Sequence, residues 1–133
     1  MGVWKEKFVK VISLIGLTSG GSKMKLPFEP RMYLVLREDL AFKFVQGGHS
    51  LASFALEHPE LFKEWNNRYL ICLSVFNGLA LRTLRDQLLE KKVTFSQFVE
   101  PDIESLLPTA ICLFDDGKNG YRNYLKGLSL ASK

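Results

Sequence analysis

Residues 69–75, Tyr-Leu-Ile-Cys-Leu-Ser-Val, form a nearly unbroken apolar run with Ser74 as its one small polar residue. A strand without polar alternation has to be covered on both faces, which places it in a sheet sandwiched between helices. The flanking patterns agree. Residues 79–92 put Leu81, Leu84 and Leu88 on one face of a helix, with Arg82, Arg85, Asp86 and Glu90 outward. Residues 42–56 read as another helix, with Val45, Leu51, Ala52 and Ala55 among its apolar positions. His58-Pro59 ends it, and Pro59 suits the first turn of a short helix to about Asn66. Strands are expected at residues 31–37, at 94–100, where alternate side chains face opposite ways, and at 109–114. Residues 117–120 then form a turn, and Tyr121, Tyr124, Leu125 and Leu128 mark a final helix. The order βαβαββα predicts one α/β domain: a four-stranded mixed sheet with helices on both faces. A chain of 133 residues holds one such core and is too short for two.

The first 23 residues stand apart. Trp4, Phe8, Val11, Ile12 and Ile15 recur at three- and four-residue steps among Lys5, Glu6, Lys7 and Lys10, the pattern of a basic amphipathic helix. Thr18-Ser19-Gly20-Gly21-Ser22 follows with linker composition. The expected organisation is therefore an N-terminal helix and linker over residues 1–23 and a domain over residues 24–133. Residues 3–17 read as a helix packed on the domain or on a protein partner, or as a membrane-surface or targeting element. No run approaches the ~18 apolar residues of a membrane span, and a cytoplasmic protein with little membrane contact is expected.

The net charge of +4 suggests nucleic acid until it is divided along the chain. Residues 1–25 carry all of it, and residues 26–133 hold 13 basic and 13 acidic side chains. Any RNA contact by the domain must come from a local patch. Arg82, Arg85, Lys91 and Lys92 are the one basic cluster of the body, readable as phosphate contacts or as a solvated face aided by the helix dipole. Cys72 and Cys112 each sit in an apolar run and read as reduced core residues. With two scattered histidines they give no zinc spacing, so neither metal nor cofactor is expected.

The polar chemistry concentrates after the first strand, in Arg37-Glu38-Asp39-Leu40 and in Lys43, Gln46, Gly47, Gly48 and His49 at a helix start. Open α/β sheets bind ligands at such strand ends. Leu36-Arg37 and Asp39-Leu40, the Gln46-x-x-His49 pair, the turn Val99-Glu100-Pro101-Asp102 and the strand Thr109-Ala110-Ile111-Cys112-Leu113 occur in order. Together, over about residues 31–128, they resemble the type 2 (archaeal and eukaryotic) peptidyl-tRNA hydrolases, and in particular a divergent branch whose third strand ends in a Glu-Pro-type turn. The loop before the helix is about four residues shorter than in that family, and Ser105 stands nearest to the family's threonine after strand three.

The resemblance implies hydrolysis of the ester between a peptide and the 3′ end of tRNA, with tRNA as partner. No nucleophile elbow is present, so an activated water is the simpler mechanism. On that reading Lys43 holds a phosphate or the oxyanion, and Gln46 orients water or the substrate amide. Glu100 or Asp102 accepts the proton, with His49 as an orienter or alternate base. Each has a plainer reading: Lys43 as a solvated lysine, His49 packed at the sheet edge, Glu100 and Asp102 as turn formers. Two other functions fit the same pattern: a catalytically inactive tRNA- or protein-binding adaptor of this fold, and a small-molecule hydrolase or isomerase.

Overall fold

The computed structural model describes residues 29–102 and 106–132. The N-terminal helix and the boundary expected after residue 23 lie outside these residues. In chain order the elements are β1 (Arg31–Arg37), α1 (Lys43–Glu57), α2 (Pro59–Trp65), β2 (Tyr69–Val75), α3 (Gly78–Glu90), β3 (Phe95–Phe98), β4 (Ala110–Asp115), a 3-10 turn (Tyr121–Leu125) and β5 (Ser129–Leu130). They form an α/β domain around a five-stranded mixed sheet of order β3-β4-β1-β2-β5.

β1 lies at the centre of the sheet because both of its faces are apolar. It runs parallel to β2, with Leu34 opposite Cys72, and antiparallel to β4, with Leu34 opposite Cys112. Met32, Leu34 and Leu36 point to one side, where they pack with Phe54, Trp65, Cys112 and Phe114 under α1 and α2. Tyr33 and Val35 point to the other side, with Leu81, Leu84, Leu88 and Leu113 under α3. Each fully buried Leu of this kind stabilises the fold by about 1.5–3 kcal/mol, so the two apolar layers together hold the sheet between the helices. The cysteines are free; burial pushes the Cys72 thiol up to about 11 and the Cys112 thiol higher still.

Local chemistry sets the element ends. The Asn77 side chain accepts from Ala80 N at 3.0 Å and caps α3. Pro59 opens α2, and Asn66, left-handed at φ 53°, closes it.

Three expectations are corrected. Among the described residues the sheet has five strands, and the final helix is a short 3-10 helix, Tyr121–Leu125, that stops before Leu128. The periodic Tyr121, Tyr124 and Leu125 fill a single 3-10 turn, after which Lys126 is extended and Gly127 takes φ +86°. That left-handed glycine turns the chain onto the edge of β2, where Ser129 and Leu130 pair with Ser74 and Leu73. Ala131 N then donates to Cys72 O at 2.9 Å. The expected strand over 94–100 is shorter, Phe95–Phe98, because Pro101 and the turn around it leave the ladder early.

Candidate functional site at the carboxyl end of β1

β1 and β2 run in parallel with α1 and α2 between them, so α1 starts at the carboxyl end of β1. β4 enters antiparallel at the same end, Leu36 facing Ala110. The start of α1, the end of β3 and the start of β4 therefore converge there. Gly47 lets α1 approach this closely: a Cβ on it would lie 2.7 Å from Leu36 Cδ2.

One network runs through Gln46, which is buried. Thr109, fully buried at the entry to β4, donates from Oγ1 to Gln46 Oε1 at 2.8 Å. Gln46 Nε2 donates to Glu100 Oε2 at 3.1 Å. A carboxylate only accepts, so the amide nitrogen has to face it and the amide oxygen has to face the threonine. The Thr109 backbone N–H donates to Phe98 O at 2.8 Å, which anchors the residue to the end of β3. The outcome is a partly exposed carboxylate held by a buried amide, which is itself held by a buried hydroxyl.

A second network lies on the other side of β1. Lys43, buried at the first position of α1, pairs with Glu38 Oε2 at 3.1 Å. Ser132 donates to Glu38 from its backbone N at 3.0 Å and its hydroxyl at 2.7 Å. Burial works against charge on Glu38, yet the hydrogen bonds from Ser132, Lys43 and Ser74 prevail and hold its pKa at about 2. Glu38, Ser74, Phe76, Ala80 and Ser132 line a cleft of about 590 Å³.

Arg37 packs against Gly78 at the start of α3. Its guanidinium grips Asp39 in bidentate fashion, 3.0 Å to Oδ1 and 2.8 Å to Oδ2, and reaches Pro108 O at 3.4 Å. The Arg37 hydrogen bonds lower the Asp39 pKa. Gly78 makes room, since a Cβ there would sit 2.9 Å from the Arg37 guanidinium carbon and from Leu107.

Of the residues singled out in the sequence, Gln46 and Glu100 meet directly. Lys43 stands one helical turn before Gln46 and turns to Glu38. His49 is exposed, and its ring stacks on Phe98 at 4.5 Å between centroids and 20° between planes. Asp102 is exposed in the turn after β3. Arg82, Arg85, Lys91 and Lys92 belong to α3 and its end, on the opposite face of the sheet from α1. There Arg85 pairs with Asp86 at 3.2 Å and reaches Gln97 Oε1 at 3.4 Å. Sequence reasoning passed over Thr109, Glu38 and Ser132 as site members. The polar start of an otherwise apolar strand was the available signal for Thr109.

Among the described residues no group of three or more His, Cys, Asp or Glu side chains is placed to hold a metal ion. No helix among them is long and apolar enough to cross a membrane. No protein-family model matches the chain, and no curated protein does. A solved structure of a protein of unknown function from Agrobacterium tumefaciens superposes with a TM-score of 0.54 at 16% identity, over 79% of this chain and 99% of that one. At that identity the likeness is one of fold: this chain shares the α/β architecture of that protein.

Proposed function

We propose that the domain is a peptidyl-tRNA hydrolase-like enzyme of the cytoplasm, with Glu100 as the proton acceptor. The observation that carries this reading is the relay Thr109–Gln46–Glu100 at the carboxyl end of β1. It presents an oriented, partly exposed carboxylate at a strand end where α/β sheets bind ligands. In the reaction, Glu100 takes a proton from water as the oxygen attacks the ester carbonyl. The tetrahedral intermediate then collapses, and the proton passes from Glu100 to the departing ribose oxygen. Gln46 keeps the carboxylate aimed, and Asp102 is the second acceptor in reach of the same turn. Lys43, one turn away, supplies positive charge for a phosphate or the oxyanion by sharing its ammonium with Glu38. Arg82, Arg85, Lys91 and Lys92 offer a phosphate-binding face on α3 for the body of the tRNA.

A release assay with peptidyl-tRNA tests this. Wild-type turnover that Glu100→Gln lowers by about 100-fold or more, the scale of a lost general base, supports it. Absence of turnover by the wild type refutes it. The commitment of Lys43 to Glu38 favours a second reading, an inactive adaptor that binds tRNA or protein. Salt-sensitive tRNA binding without turnover, weakened by Arg82→Ala and Arg85→Ala, supports that one.

A further inference from the structure

The two faces of α1 differ in a way the domain itself does not explain. Inward, Lys43, Gln46, Gly47, Ser50 and Phe54 are buried. Outward, Phe42 is 73% exposed, Val45 54% and Leu56 84%, with Gly48, His49 and Ala52 exposed between them. From residue 44 to residue 56 there is no Asp, Glu, Lys or Arg. A helix on a protein surface normally carries its charges outward, as α3 does with exposed Arg82, Asp86 and Glu90. An uncharged outer face with large exposed apolar side chains has the character of a covered surface.

The adjacent glycines make the same point. Gly47 is needed for the sheet, but a Cβ on Gly48 would meet nothing within 4 Å. Mid-helix glycine costs about 1 kcal/mol relative to alanine, and nothing in the described fold offsets it at position 48. The outward positions Phe42, Val45, His49, Ala52 and Leu56 advance by three and four residues in alternation. That is the seam spacing of helices packed lengthwise.

Residues 1–28 lie outside the described residues, and their sequence contains a matching seam. Trp4, Phe8, Val11 and Ile15 advance by four, three and four residues, flanked by Lys5 and Lys7. Glu57 at the end of α1 and exposed Glu60 and Glu64 on α2 offer the opposite charge. The described chain starts at Glu29, at the end of the sheet toward which α1 runs. Residues 18–28 span up to ~36 Å when extended, while the exposed stripe on α1 is ~21 Å long. The tether therefore reaches every part of it.

We propose that residues 3–17 form a helix that covers the outward face of α1. Trp4, Phe8, Val11 and Ile15 lie against Phe42, Val45, Ala52 and Leu56, and Gly48 lets the two backbones approach closely. This does not depend on the hydrolase reading.

Amide hydrogen exchange on the full chain tests it, compared between wild type, Phe8→Glu and Val45→Glu. Both substituted positions lie outside the polar relay, and the exposure of Val45 makes its replacement tolerable to the core. The expected result is protection of the amides of residues 5–16 by about tenfold or more over unstructured chain. Either substitution abolishes it, while the β1 and β4 amides stay as slow as in wild type and confirm the fold. Residues 5–16 exchanging freely in the wild type would overturn the proposal. Protection that survives both substitutions would also overturn it by placing the segment elsewhere. So would protection that rises with protein concentration alongside a dimeric mass, because α1 would then be covered by a second copy.

Discussion

Two glutamates flank the carboxyl end of β1, and their surroundings assign them different work. Glu38 receives the backbone and hydroxyl hydrogen bonds of Ser132 and the ammonium of Lys43, and its pKa sits at about 2. A carboxylate so well satisfied has little drive to take a proton from water, and its partners tie the chain after β5 to the turn after β1. It is a clasp. Glu100 is instead held by a neutral amide, Gln46, whose own position depends on the buried Thr109 hydroxyl. An amide fixes direction without adding charge, which leaves a carboxylate oriented but not neutralised. Charge satisfaction builds structure on one side of the strand, and orientation without it builds a candidate acceptor on the other.

The largest expected effect separates the two. Glu100→Gln should lower kcat/KM for peptidyl-tRNA by about 100-fold, roughly 2.7 kcal/mol of barrier, with little change in thermal stability. Glu38→Gln should do the reverse, lowering the melting temperature and changing kcat/KM by about tenfold or less, since it touches the reaction only through Lys43. Equal losses of activity in both variants would erase the distinction. Thr109→Val comes next. It keeps the shape but leaves Gln46 Oε1 buried without its donor, at a cost of about 1–3 kcal/mol, measurable by urea unfolding. Because the amide also loses its orientation, activity should fall in parallel, and Thr109→Ser should restore both.

How much of this the sequence discloses depends on how local the cause is. The three helices follow from spacing within each segment: Leu81, Leu84 and Leu88 announce the buried face of α3 without reference to anything else. The central strands follow because both of their faces are apolar. β5 was not legible, since two residues are too few for an alternation, and its partners Leu73 and Ser74 belong to a strand more than fifty residues earlier. The site divides the same way. Gln46 and Glu100 are 54 positions apart and Thr109 and Gln46 are 63 apart; the antiparallel pairing of β4 with both β1 and β3 brings them to one place. The first and third strands are not neighbours in the sheet. β4 lies between them, and Thr109 at its entry supports the amide from within. Glu38 reads in sequence as one charge of a turn, because its chief partner, Ser132, is 94 residues away.

Acid titration sharpens the contrast at a smaller scale. The Glu38 carboxyl is near 4.5 when unfolded and about 2 in the fold. Its contribution to stability is complete above pH 4.5 and is lost as pH falls toward 2. Urea midpoints measured across that window should fall more steeply for the wild type than for Glu38→Gln, which carries no titrating group there. Coincident profiles would mean that Ser132 and Lys43 do not hold the carboxylate as described.

The smallest effect concerns His49, one turn beyond Gln46. A histidine acting as the base would cost about 100-fold or more on removal. The ring is instead exposed and stacked on Phe98 at 4.5 Å, a contact of the kind worth about 0.5–1.5 kcal/mol when buried and less at an exposed position. His49→Ala should therefore change kcat/KM by about threefold or less, against the 100-fold scale of a lost base, and lower stability by under about 1 kcal/mol. His49→Phe should recover the stability, since it keeps a ring against Phe98 while removing both ring nitrogens. If His49→Phe abolishes turnover while folding as stably as wild type, the imidazole takes part in proton transfer, and Glu100 would have to be reassigned from acceptor to orienting group.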